Sequence, residues 1–137
     1  MKKIGVLLIL LFSIVSCSSN ETETDPIGTD YYGKWIQFVE AKYNDDPNPS
    51  QVSYQFNKDN TFTKTLNYYD TTTNASGTFE VKKDGNTTVF VLTYTQQNSI
   101  ISSCTGGLIE SLTLDKFGHL NDNAGMCDRY GKYKKAK

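Results

Sequence analysis

The sequence has few of the residues on which catalytic and metal chemistry usually depends. Its 137 residues include one histidine, three cysteines and three prolines. His119 follows Gly118 in a predicted turn, and no cysteine or serine pattern near it indicates a nucleophile paired with a base. No glycine-rich phosphate loop is present. We therefore expect no enzyme activity, no catalytic residues, no bound metal and no cofactor.

An excess of positive charge is also missing. The formal net charge is −1, and without Lys2 and Lys3 the chain keeps twelve basic and fifteen acidic residues, a net charge of −3. Polyanions and acidic lipid surfaces attract basic proteins. Nucleic acid is therefore not an expected partner.

No part of the chain beyond its N-terminal segment shows sustained helical periodicity. Alanine is scarce, whereas threonine, tyrosine, phenylalanine and valine are plentiful and Asn, Asp and Gly recur at short intervals. Apolar residues two positions apart predict half-buried strands. The predicted strands cover 35–41, 52–56, 62–68, 79–81, 89–94, 100–104, 108–114 and 126–134, with turns at 57–60, 74–77 and 84–85.

Short strands with mostly short connections favour an all-β, antiparallel up-and-down meander. About eight such strands close into a small barrel, which removes exposed sheet edges and leaves room only for side chains or one small ligand.

The one long apolar run lies at the N-terminus. Lys2 and Lys3 precede apolar residues 4–15, and Ser16 leads to Cys17, as in a signal peptide. The run is too short to span a bilayer. Residues 14–17 resemble the lipobox of bacterial lipoproteins, which implies cleavage before Cys17 and acylation of its thiol. An ordinary secretory signal with an incidental cysteine is the alternative.

The domain organisation follows from this N-terminus. Residues 1–16 are the predicted signal peptide, residues 17–30 the lipidated cysteine and a polar, acidic tether, and residues 31–137 the barrel. We expect a monomer held by lipid at the outer membrane of the cell envelope, on either its periplasmic or its outer face.

The two remaining cysteines, Cys104 and Cys127, lie in a chain that is predicted to fold outside the cytosol. A disulfide is the natural pairing there. Zinc binding is the rival interpretation, but two thiols without a histidine cluster make a poor zinc site.

A short motif at the start of the first strand resembles the lipocalin signature. Gly33 and Trp35 match its glycine and tryptophan, and Arg129, the lone arginine, lies in the predicted last strand. The resemblance implies that Arg129 packs across Trp35 to close the barrel floor, a structural role for all three residues. The domain is smaller than a typical lipocalin and lacks the aspartate and arginine of the middle signature, which argues against a large ligand cavity.

Charged residues interrupt two apolar strand faces. Lys64 and Glu110 each lie where strand alternation places the interior. We expect them, with Tyr54, Tyr68 and Tyr94, to form the polar part of a pocket that binds the headgroup of a ligand. The alternative is that the charges lie at strand ends, extend to water or pair with each other.

Two other polar clusters resemble calcium loops superficially. Asp45 with Asp46, and Asp122 between Asn121 and Asn123, lack calcium-ligand spacing and fit polar turns better.

Two functions fit the sequence. The first, which we expect, is a carrier whose barrel binds a small apolar or amphipathic molecule. The second is an interaction or inhibitor module with a filled barrel, which contacts an envelope protein or glycan through loops and through Tyr31, Tyr32, Tyr43 and Tyr69. A continuous apolar cavity above about 300 Å³ favours the carrier.

Overall fold

Eight antiparallel strands follow one another around a closed barrel in the computed structural model, which describes residues 30–38 and 50–137. The strands are β1 (Gly33–Gln37), β2 (Gln51–Phe56), β3 (Thr61–Tyr68), β4 (Thr71–Asp84), β5 (Thr87–Tyr94), β6 (Ile109–Leu114), β7 (Leu120–Asp122) and β8 (Lys132–Lys135). A 3-10 helix, η1 (Asn123–Cys127), precedes β8. The predicted fold class, an all-β meander closed into a barrel, is confirmed.

Alternation along each strand fills the barrel. In β5, Phe90, Leu92 and Tyr94 are buried, while the residues between them are half-buried or exposed. In β3, Phe62 and Lys64 follow the same rule. Because strand side chains alternate between faces, one set of every second residue builds the interior.

Gly77 lies inside a strand, where the sequence predicts a turn at 74–77. A Cβ at this position would overlap the carbonyl oxygen of Thr93 on β5. The glycine therefore permits close approach of β4 and β5. The turn lies earlier, at Tyr69 and Asp70 between β3 and β4, and Tyr69 takes a positive φ of 50°.

The C-terminal third differs most from the prediction. Residues 100–104 form no strand, and the predicted strand 126–134 divides into the end of η1, a turn and the short β8. Asp122, predicted to lie in a polar turn, is the buried last residue of β7 and caps η1. Its side chain accepts the Ala124 amide at 2.8 Å, so it satisfies a helix end.

One end of the barrel, here called the base, is covered by the N-terminal segment. Tyr31 packs edge-on to Phe90 with ring centroids 5.3 Å apart, and Tyr32 contacts Phe79. The buried Trp35 donates its indole N–H to the Tyr31 carbonyl at 2.9 Å. The tryptophan thus fixes the segment that covers the base.

The opposite end, here called the mouth, is crossed by the β5–β6 connection, residues 95–108. Cys104 is joined by a disulfide to Cys127 at the end of η1, with their Cα atoms 5.7 Å apart. At β4 the Asn98 side chain donates to the Asn74 carbonyl at 3.0 Å, and Ile101 of the same connection is buried in the core. The predicted cysteine pairing is therefore present, and it holds a loop over the mouth.

Several predictions lie outside the described residues: Cys17 with the signal and tether, and Tyr43, Asp45 and Asp46. Among the residues that the structure does describe, no helix has the length and apolar character needed to cross a bilayer.

Candidate functional site

Two opposite charges meet inside the barrel. Lys64 on β3 and Glu110 on β6 face each other across the lumen, with Nζ 3.1 Å from both carboxylate oxygens. Their side chains are 2% and 0% exposed. The sequence prediction that both charges point inward is confirmed, and a buried ion pair of this kind needs further hydrogen bonds to offset its lost hydration.

Two tyrosines supply such bonds. The Tyr94 hydroxyl donates to Glu110 Oε2 at 2.8 Å, and the Tyr54 hydroxyl donates to Oε1. Burial, and then the neighbouring Glu110 charge, raise the pKa of both phenols well above the ordinary value. Both tyrosines therefore stay protonated and keep donating.

The mouth loop adds the remaining partners of the pair. The Ser102 amide donates to Glu110 Oε2 at 3.0 Å, and Lys64 Nζ donates to the Ser102 hydroxyl at 3.1 Å. Desolvation lowers the pKa of Lys64, and the attraction of Glu110 opposes that shift. The loop therefore closes over the ion pair through its own backbone and hydroxyl.

Asp122 lies at the edge of this group. Its pKa is raised to about 6, chiefly by burial and also by the Glu110 charge, while hydrogen bonds from Ala124 and Ser102 and the charge of Lys64 act in the opposite direction. Tyr133 on β8 packs edge-on to Tyr54 with ring centroids 4.9 Å apart. Its pKa is raised, chiefly by burial.

The structure brings together four of the five residues predicted to form a polar pocket. Tyr54, Lys64, Tyr94 and Glu110 meet, but Tyr68 is 53% exposed at the mouth end of β3, where it packs against Tyr69. Placing Tyr68 with the interior group was wrong, because the strand ends before its side chain is covered. The two charges pair with each other, as the alternative interpretation expected, and their ligand role stays a prediction.

The rest of the lumen is filled with side chains. Phe90, Leu92, Leu112 and Leu120 have 0% exposure, so none of them borders a space that admits a water molecule. Stacked and edge-on aromatic contacts link Tyr54, Phe56, Phe79 and Phe90 toward the base. The interior bounded by these residues is packed rather than hollow.

Large apolar side chains are exposed mainly around the mouth. Five of the six in the described residues lie there, and only Phe117 lies at the base. The five are Tyr68, Tyr69, Ile109, Met126 and Tyr130. Tyrosine offers a large contact area with a polar tip, so this end of the barrel has the composition of a binding surface.

A cavity of about 180 Å³ opens in the mouth loop. Its side chains are polar except for Ile101 and two glycines. The lining consists of Gln97, Asn98, Ser99, Ile101, Ser103, Gly106, Gly107 and Arg129. Arg129 supplies the only charge among these residues. Its Nη1 donates to the Ile101 carbonyl at 2.6 Å.

The position of Arg129 corrects the sequence prediction. It follows η1 rather than lying in the last strand, which begins at Lys132. Among the described residues the cation–π contacts are made by lysines, and none joins Arg129 to Trp35. Gly33 does open β1, as predicted, with a positive φ of 108°.

Sequence reasoning missed Ser102, Asp122 and Tyr133. Asp122 and Tyr133 could have been found, since Asp122 lies two positions after Leu120 and Tyr133 alternates with lysines. Ser102 carried no such signal, because its role depends on a loop that folds back over the barrel. In the part of the chain that the structure describes, no three His, Cys, Asp or Glu side chains are grouped as metal ligands.

Comparison with known proteins adds no relative. No family model matches the sequence, and no match is found among curated proteins or solved structures.

Proposed function

We propose that this chain is a lipid-anchored protein of the bacterial cell envelope, and that its barrel is an interaction module that contacts an envelope partner through the mouth. The observation that carries the proposal is the filled interior combined with an exposed, tyrosine-rich mouth. A carrier needs space for its cargo, whereas an interaction module needs a rigid support for its loops.

The polar interior supports the same function. Glu110 and Lys64 bind each other, two phenols and Ser102, so their hydrogen-bonding capacity is used within the protein. A headgroup would have to displace these partners from a site with almost no exposure. The ion pair is better suited to hold the mouth loop in one conformation.

The anchor is proposed from the sequence. The lipobox-like residues 14–17 follow a charged and apolar signal, and residues 18–30 provide a polar tether. A lipocalin-like origin of the domain is supported by Gly33 and Trp35 at the start of β1 and by the closed barrel of eight strands. An acylated N-terminus would keep the module at an outer-membrane surface.

Site-specific photo-crosslinking in the producing cell tests the interaction. A photoreactive amino acid replaces Tyr69 or Tyr130 at the mouth, and the matched controls carry it at Phe117 at the base and at Glu80 on the wall, all of which are exposed. We expect a discrete crosslinked product from the mouth positions only. Equal products from all four positions, or none from the mouth, would contradict the proposal.

Metabolic labelling tests the anchor separately. Cells fed a labelled fatty acid should label the wild-type chain, and Cys17→Ser should abolish the label. A labelled Cys17→Ser chain, or an unlabelled wild-type chain, would refute the lipid anchor.

A further inference from the structure

We propose that the mouth cavity binds one acidic sugar unit, with Arg129 holding its carboxylate. This inference rests on the proposed use of the mouth as a binding surface, and it names the partner as a glycan that carries one acidic sugar unit. The observations that carry it are an arginine that pairs with no carboxylate of the described residues, a lining of amides and hydroxyls, and a cavity of small size.

The guanidinium has unused donors. Arginine carries five N–H groups, and among the described residues Arg129 uses its side chain for one bond, to the Ile101 carbonyl. No salt bridge joins it to a described carboxylate. The planar fork of a guanidinium matches a carboxylate with two parallel hydrogen bonds, and such charge-assisted bonds are roughly twice as strong as neutral ones.

The other polar groups of the cavity suit hydroxyl groups of a ligand. Gln97 donates its amide N–H to the Gly106 carbonyl, which leaves the amide oxygen as an acceptor. Ser99 is exposed beside it. Ser103 accepts the Gly107 amide at 3.2 Å, and its hydroxyl lies 3.3 Å from that of Thr105. Amides and hydroxyls that both donate and accept are suited to sugar hydroxyls, which do the same.

None of the described residues that line the cavity is acidic. An anion that enters therefore meets one positive charge and no direct repulsion from its walls. A neutral sugar would leave the guanidinium without its best partner, and a bare carboxylate would leave the amides and hydroxyls unused. Only a ligand that carries both features engages the whole lining.

The arginine is held in place before any ligand arrives. Its amide donates to the Ala124 carbonyl at 3.3 Å, and Asp128 before it takes a left-handed conformation that ends η1. The disulfide at Cys127 ties the same turn to the loop that forms the other wall. A preorganised site loses less conformational entropy on binding.

The volume fits a single unit. A water molecule occupies about 30 Å³ in the liquid, so a cavity of about 180 Å³ replaces roughly six waters. That is smaller than the usual range for drug-sized ligands, about 300 to 1,000 Å³. One sugar ring therefore enters, and the rest of a glycan would extend over the exposed tyrosines of the mouth.

The test is a titration of the ¹⁵N-labelled mature chain, with its anchor held in detergent, by sodium glucuronate. Glucose and sodium acetate are the matched probes that each lack one half of the chemistry. We expect glucuronate to shift the Gly106 and Gly107 amide resonances saturably. Glucose and acetate should each bind at least about tenfold more weakly than glucuronate. Shifts elsewhere only, no saturation, or equal binding of acetate would overturn the inference.

Substitution gives the second measurement. Arg129→Gln should weaken glucuronate binding about 10- to 100-fold. Arg129→Lys should have an affinity between those of the wild-type chain and Arg129→Gln, because lysine keeps the charge but lacks the planar fork of the guanidinium. Lys82→Gln, at an exposed wall position, is the control that should leave the affinity unchanged. If Arg129→Gln disturbs the fold, the resonance shifts of the wild-type chain still decide the question.

The two proposals fail in different ways. Mouth crosslinks without glucuronate binding would refute the acidic-sugar site and leave the interaction module standing. Glucuronate binding without mouth crosslinks would contradict the interaction module instead.

Discussion

Replacing Glu110 by glutamine should destabilise the protein strongly, because it leaves the Lys64 ammonium without a counter-charge at a site with 2% exposure. Removing one partner of a buried ion pair costs about 3 to 5 kcal/mol. The glutamine amide would also direct N–H groups at one of the two tyrosine hydroxyls that now donate to the carboxylate. The expected loss therefore lies toward the upper part of that range.

Urea unfolding followed by the fluorescence of the single, buried Trp35 measures this loss. With a slope of about 1 to 1.5 kcal/mol per molar urea, the midpoint should fall by roughly 2 to 5 M. Glu80→Gln is the matched control, since Glu80 and Lys82 form an exposed ion pair 3.4 Å apart. That substitution should change stability by less than about 0.5 kcal/mol.

The double variant Lys64→Met/Glu110→Gln keeps the prediction testable if the single variant does not fold. It removes both charges, so it should be more stable than Glu110→Gln alone. The reasoning would be refuted if Glu110→Gln cost no more than Glu80→Gln, or if the double variant were the less stable of the two. Either result would mean that leaving Lys64 unpaired is not the dominant cost of losing Glu110.

Three further predictions concern the frame around the ion pair. Asp122 has a folded pKa of about 6 against an ordinary value of 3.8, so the native state binds the extra proton. The contribution of Asp122 to stability should therefore be fully present below about pH 4 and be lost, by roughly 3 kcal/mol, as the pH rises through about 6. Asp122→Asn, which can still cap η1, should remove that component from a profile of the urea midpoint against pH. Gly77→Ala should prevent native β4–β5 pairing and lower the melting temperature far more than Gly85→Ala. The methyl group added at Gly85 meets open space, so that control should cost only the roughly 1 to 2 kcal/mol of a non-glycine residue in the left-handed conformation. Equal losses of melting temperature would contradict the close approach of β4 and β5. Paired Cys104→Ser/Cys127→Ser substitution should cost about 3 kcal/mol in the same urea assay by the chain-entropy estimate, and no loss would show that the disulfide does not constrain the unfolded chain.

The barrel itself was accessible to sequence reasoning because period-two patterning is local. Phe62 and Lys64 on β3, and Leu92 and Tyr94 on β5, reveal their inward faces through the spacing of apolar neighbours. The same rule places Glu110 inside the barrel, between Leu108 and Leu112. Gly77 shows its limit, because a glycine that allows two strands to approach has the same local signature as a glycine in a turn.

The structure of the mouth could not be predicted from the spacing of apolar residues. Residues 100–104 are apolar enough to predict a strand, yet Ile101 is buried by folding back over the lumen and Ser102 binds the ion pair. The sequence predicts a strand that includes Arg129, but in the structure that strand begins three residues later, at Lys132. Its real neighbours come from a loop that a disulfide joins to it, and contacts between distant loops leave no periodic trace in the sequence.

A filled barrel that acts through its mouth should carry no apolar cargo. Native mass spectrometry of residues 26–137, purified from the periplasm without denaturation and compared with the denatured mass, tests it most directly. We predict the mass of the bare chain, two hydrogens short for the disulfide, or at most an acidic sugar that Arg129→Gln releases. An apolar molecule that co-purifies with both the wild-type chain and Arg129→Gln, and leaves only on unfolding, would contradict the account.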